Sequence, residues 1–145
     1  MSKHSIILII ICGLFLSGCQ IKPYNQKPIM LSGEQVKKLF VKHTVESYNL
    51  KTGTTSFSYY TSKGRVKQIR KQRNRSGHWK LDAEGKMCLR MQKNKFSCRG
   101  IYREGNTYYK YRLDNQNKLE RIIRYQRFNK GNMLKKISAK TVNNN

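Results

Sequence analysis

From residue 44 onward, apolar and polar side chains alternate with period two in short runs separated by turn formers, the pattern of half-buried antiparallel strands. The runs lie at 44–50, 54–60, 65–71, 78–81, 86–91, 96–102, 107–113 and 119–128. Turn residues recur at Gly53, Gly64, Gly77, Gly85, Asn94, Gly105, Asn115 and Gly131, mostly 8 to 13 positions apart. About eight short strands so spaced predict a mainly β fold, an antiparallel meander in a curled sheet or small barrel. Ahead of them, Ser32-Gly33-Glu34-Gln35 forms a capping box, and Val36, Leu39 and Phe40 share one helical face. One short N-terminal helix docked on the sheet is expected, with Leu31 as a staple. Strand alternation places Phe57 and Tyr59 inward in one strand, Tyr109, Tyr111 and Leu113 in another, and Trp79 with Leu81 in a third.

The organisation expected is residues 1–18 as a signal segment, 19–31 as a tether carrying Pro23 and Pro28, 32–131 as one β-rich domain, and 132–145 as a polar tail. The signal reading rests on Lys3 followed by 11 uncharged residues from Ile6 to Leu16. That run is too short for a spanning helix, which needs ~20 apolar residues. Directly behind it, Leu16-Ser17-Gly18-Cys19 resembles the lipobox of bacterial prolipoproteins. The resemblance implies acylation of the Cys19 thiol, cleavage before it, and stable membrane anchoring through several acyl chains. Gln20 after the cysteine resembles the outer-membrane sorting pattern of Gram-negative lipoproteins, which implies transfer to the outer membrane; in a Gram-positive cell the same anchor sits in the plasma membrane. A lipid-anchored outer-membrane protein facing the periplasm is expected.

Of four cysteines, Cys12 leaves with the signal and Cys19 takes lipid, so Cys88 and Cys98 remain, in an oxidising compartment. A register pairing them leaves Gln92, Lys93 and Asn94 as a three-residue hairpin loop, with Asn94 suited to a left-handed conformation. A disulfide across one hairpin is expected, rather than a redox or metal pair, because there is no C-x-x-C and no cluster of further ligands. The stretch 77–98, with its Gly-x-Trp, turn glycine and two cysteines, resembles in outline small secreted proteobacterial domains of unknown function and imports no activity.

The chain has 145 residues, 31 Lys and Arg against 7 Asp and Glu, and a net charge of +24. Losing Lys3 with the signal leaves 30 basic side chains. The densest cluster, Lys63, Arg65, Lys67, Arg70, Lys71, Arg73 and Arg75, places seven cations in 13 residues without an acid. Such a stretch is an anion-binding candidate. The acid–base pool is small: His43 and His78, two Asp and five Glu follow the signal, and Asp82, Glu84, Asp114 and Glu120 are explained by turns. No catalytic, P-loop or zinc motif is present. No enzyme activity, cofactor or metal is expected.

The function expected is therefore non-enzymatic binding of anionic envelope components, such as lipopolysaccharide phosphates or anionic headgroups, by a protein held to the membrane through Cys19. A role in envelope assembly or inhibition, with an acidic protein partner, is the first alternative. Surface nucleic-acid binding is the second, with Tyr60, Tyr102 and Tyr108 as stacking candidates.

Overall fold

The computed structural model describes residues 27–92 and 95–142. Cys19 and the lipobox lie outside the described residues, as do Lys93 and Asn94 of the hairpin loop. The fold is mainly β: β1 (Ile29–Met30), α1 (Gly33–Phe40), β2 (His43–Asn49), β3 (Thr54–Tyr60), β4 (Arg65–Arg70), β5 (Arg73–Leu81), β6 (Met87–Met91), β7 (Ser97–Arg99), β8 (Ile101–Glu104), β9 (Thr107–Leu113), β10 (Leu119–Lys130) and α2 (Leu134–Val142). The strands form one antiparallel sheet of order β1-β8-β9-β10-β2-β3-β4-β5-β6-β7.

That sheet curls into a half-barrel. Gly100 alone separates β7 from β8, so the far strand of the order runs straight back into its second strand. The curl is carried by the 12-residue β10, where register shifts at 121/123 and 125/127 bend the strand between β9 and β2. One end of the curl holds the apolar core of Leu31, Val36, Phe40, Val45, Tyr60, Val66, Trp79, Met87, Ile101 and Tyr125. Helix α1 plugs that end. Ser32 Oγ accepts from Gln35 N–H at 3.3 Å while Gln35 Oε1 accepts from Ser32 N–H at 2.9 Å, completing the expected capping box. Phe40, fully buried, meets Tyr60, Tyr125 and Phe128 edge to face at 5.0–5.4 Å.

Several expectations need correction. The tether is shorter than 19–31, because Ile29 and Met30 pair with Arg103 and Tyr102 and Leu31 enters the core. The polar tail at 132–145 contains α2, anchored by buried Leu134 and by Thr44, whose hydroxyl donates to Gly131 O and accepts from Met133 N–H. Gly77 is no turn. It lies in the middle of β5 opposite Met91, and the reversal before it is made by Lys71 and Gln72. The run at 96–102 is broken at Gly100 into two strands, which with β1 raises the count from about eight to ten.

Two strands also have the opposite facing from that expected. In β3, Ser56, Ser58 and Tyr60 are buried while Phe57 and Tyr59 are half-buried on the outer face. In β9, Tyr108 packs on the core and Lys110 is buried beside Ile101, while Leu113 is exposed. Tyr111 is buried too, but on the outer face, under Tyr102 and Tyr109 and with its hydroxyl on Glu104. Serines fill the inside because the curl brings β2, β3 and β4 together, and aromatic rings find room outside. Trp79 and Leu81 do face inward, Trp79 donating its indole N–H to Thr61 O at 2.9 Å.

Candidate functional site

The sheet registers divide the seven-cation cluster among three places. Lys63 sits in the turn before β4, at the plugged end. Arg65 and Lys67 alternate with buried Val66 and point outward. Arg70, Arg73 and Arg75 face inward: Gln68 bonds inward-facing Ser58 at 3.0 Å, Gln68 pairs with Arg75, and Arg70 pairs with both Ser56 and Arg73. Lys71 caps the hairpin between them. The seven cations of this anion-binding candidate therefore do not share one face.

What the fold builds instead is a basic open end, opposite the α1 plug. A cleft of about 630 Å³ is lined by Arg70, Lys71, Arg73, Asn74, Arg75 and Gln92. Four of those six are cations, and none is an acid. Among the described residues, none of the four makes an ion pair or side-chain hydrogen bond. The turn that presents them is strained, since Lys71 and Gln72 hold φ of 49° and 58° without being Gly or Asn.

A second cleft of about 630 Å³ opens at the same end, lined by Lys51, Arg99, Arg112, Leu113, Asp114, Asn115 and Gln116. Arg99 precedes Ile101 by two residues and pairs with buried Met87, so it faces inward. Tyr111 N–H donates to Gly100 O at 3.1 Å, which continues the β8–β9 register and sets Arg99 opposite Arg112. Deeper on the same face of β9 lies Lys110, 9% exposed, between Ile101 and Ile123. Burial, helped by the Arg99 guanidinium, pushes its ammonium down to about 8.

Six of the seven acids are committed elsewhere, and the seventh, Glu34, sits in the first turn of α1. Glu46 pairs with Arg127 at 3.1 Å, Glu120 with Arg112 at 2.7 Å, Glu104 with Arg121, and Glu84 with Lys86. Asp82 Oδ1 accepts from the Glu84 and Lys86 amides, and Asp114 Oδ1 from those of Gln116 and Lys118. Both are turn-building acids of the kind the sequence suggested.

Cys88 and Cys98 occupy directly opposed positions, Cα atoms 3.8 Å apart, and form a disulfide in the expected register. Asp82 brings a carboxylate within 4.8 Å of the two sulfurs. The disulfide removes both thiolates and the turn amides occupy Asp82, so this trio is not a metal-ligand set. His43 Nδ1 lies 2.9 Å from Val41 O, and His78 Nδ1 3.4 Å from Arg90 Nη2 on the outer face. The fold does not bring the two histidines into one site. Nor are the stacking tyrosines free: Tyr60 is in the core, Tyr108 packs on Phe128, and Tyr102 on Tyr111.

Sequence reasoning missed Arg99, Lys110 and Arg112. Their signal was available only as register: pairing Cys88 with Cys98 sets Met87 opposite Arg99, and so faces that cation inward once Met87 is known to be core. No protein-family model matches the chain, and the comparison with curated proteins gave no match.

Proposed function

We propose that the protein binds phosphate-bearing polyanions of the bacterial envelope at the basic open end of its half-barrel, held beside the membrane by acyl chains on Cys19. The observation that carries this reading is the cleft in which Arg70, Lys71, Arg73 and Arg75 converge with no acid in its lining and, among the described residues, no ion-pair or side-chain hydrogen-bond partner. Four unpaired cations around one cavity repel one another, and a polyanion entering it relieves that repulsion. No described helix is long and apolar enough to cross a membrane, so the anchoring rests on the lipobox resemblance. The reading is binding rather than catalysis, because the two histidines lie apart and every acid except Glu34, on the first turn of α1, is held in an ion pair or a turn.

The test uses the full chain in neutral-detergent micelles, titrated with lipopolysaccharide and separately with duplex DNA. Lipopolysaccharide binding that falls steeply with salt is expected. Replacing Arg70, Arg73 and Arg75 with Gln should weaken it far more than replacing Lys63, Arg65 and Lys67. Equal losses would reduce the effect to net charge, and tighter binding to DNA would favour the nucleic-acid reading. Mass spectrometry of the native protein tests the anchor: an unmodified Cys19 or an intact leader removes it.

A further inference from the structure

We infer that Lys110 and Arg99 form an internal seat for a single phosphate group, set deeper than the cleft around Arg70 and distinct from it. The inference rests on the anion-binding reading above and specifies a second, more selective point of contact. Lys110 is nine-tenths buried on the inner face of β9, yet among the described residues its side chain makes no hydrogen bond and no ion pair. Its ammonium nitrogen still reaches solvent, since among the described residues no enclosed side-chain nitrogen or oxygen lacks a partner, but the burial around it disfavours the charge. The nearest charges make it worse. Arg99 lies diagonally across from it, two residues before its partner Ile101, and Arg112 lies two residues along its own strand.

The one acid on the neighbouring stretch of β10, Glu120, is engaged by Arg112 at 2.7 Å. Asp114, in the adjoining cleft, is held by its turn amides. Arg99 Nη1 donates to Cys98 O at 2.7 Å, yet among the described residues neither Arg99 nor Lys110 has a carboxylate counter-ion; both face the inside of an open-ended fold, and Arg99 lines a cleft that gives access from solvent. An ammonium and a guanidinium together match a dianion better than a monoanion. A phosphate monoester supplies two charges and several acceptor oxygens, which Arg can engage in a bidentate manner and Lys as a point charge.

The probes are inorganic phosphate and a short-chain phosphatidate, added to the full chain in neutral-detergent micelles. Saturating phosphate should protect Lys110 from reductive methylation while exposed Lys135 of α2 stays reactive, read residue by residue by mass spectrometry. By calorimetry, Lys110→Met and Arg99→Gln should each weaken phosphate binding roughly tenfold or more. The Arg70, Arg73 and Arg75 triple substitution should leave it within about twofold. Phosphatidate binding tighter than inorganic phosphate identifies a lipid headgroup as the source, and equal affinities identify the free ion.

Wild-type phosphate affinity in Lys110→Met, with lipopolysaccharide still bound, overturns the seat alone. Loss of lipopolysaccharide binding from a protein whose Lys110 is still protected overturns the broader reading alone. Should Lys110→Met fail to fold, the protection measurement on the unsubstituted chain decides.

Discussion

Gln68 Nε2 donates to Ser58 Oγ at 3.0 Å across the β3–β4 ladder, inside the curl of the sheet. This polar contact lies next to the apolar core, since Ser58 also pairs with buried Val45. Ser58→Ala should destabilise the fold by about 1–3 kcal/mol by leaving the Gln68 amide without its acceptor. Adding Gln68→Leu should recover only part of that loss, because it removes the stranded amide but not the buried Tyr60 hydroxyl, which also bonds Ser58. Urea unfolding of the two variants measures the difference.

Gly77 should tolerate no side chain. A Cβ there would stand 2.2 Å from Arg90 O and 2.9 Å from Met91 Cα, both backbone atoms of the partner strand. Gly77→Ala should therefore cost about 3 kcal/mol, at the upper end of overpacking penalties, by parting β5 from β6. The midpoint of thermal unfolding reports it.

The Lys71-Gln72 turn should be improvable. Both residues hold positive φ between the Arg70 and Arg73 pair, the two-residue geometry for which Asn-Gly is preferred. Lys71→Asn with Gln72→Gly should stabilise the protein by roughly 1–2 kcal/mol in denaturant. Polyanion affinity should fall slightly from the lost cation, a trade of stability against the proposed site.

The pairs of strands legible in the sequence were those closed by turns of ordinary chemistry. Gly53, Gly64, Gly85 and Gly105 all take positive φ, and the strand ends beside them lie within one or two residues of the expected positions. Gly77 misled because glycine also serves close backbone approach, which leaves the same letter in the sequence. The facing of β3 and β9 was illegible for a different reason. In Thr54–Tyr60 a ring and a serine alternate, and hydrophobicity ranks the ring inward. Curvature decides otherwise, leaving Ser56 and Ser58 on the crowded concave side. Curvature also explains the site. Seven cations in 13 residues are legible as a cluster, but their division among turn, outer face and lumen needed the register.

The disulfide should contribute about 2–3 kcal/mol, the chain-entropy value for so short a loop. Cys88 is fully buried and the pair ties β6 to the short β7, whose ladder holds only three residue pairs. Cys88→Ser with Cys98→Ser should lower the unfolding free energy measured in urea by that amount. Reductant should shift the unsubstituted protein in the same direction and leave the double variant unchanged.

Lys110 should give the folded protein an unusual response to alkali. Its ammonium loses its proton near pH 8 in the folded state, against 10.5 in the unfolded chain. Between those values the unfolded chain binds more protons, so stability rises with pH; below about pH 8 both states are protonated and the full penalty applies. The shift corresponds to an upper figure of roughly 3 kcal/mol. The groups around it do not reverse the sign. Arg99 is the facing cation and Arg112 is engaged by Glu120. Tyr60, pushed up to about 12 by burial, opposes the rise only above about pH 10, where the unfolded phenol ionises first, and buried Tyr125 acts in the same direction. Stability should therefore climb from about pH 8 to pH 10 and then turn over. Lys110→Met, which fills the same space without the charge, should be more stable than the unsubstituted protein at neutral pH and should show no such climb. Denaturant midpoints taken across that range measure it, and a flat profile in the unsubstituted chain would mean that Lys110 keeps its proton through contact with an anion or water inside the barrel.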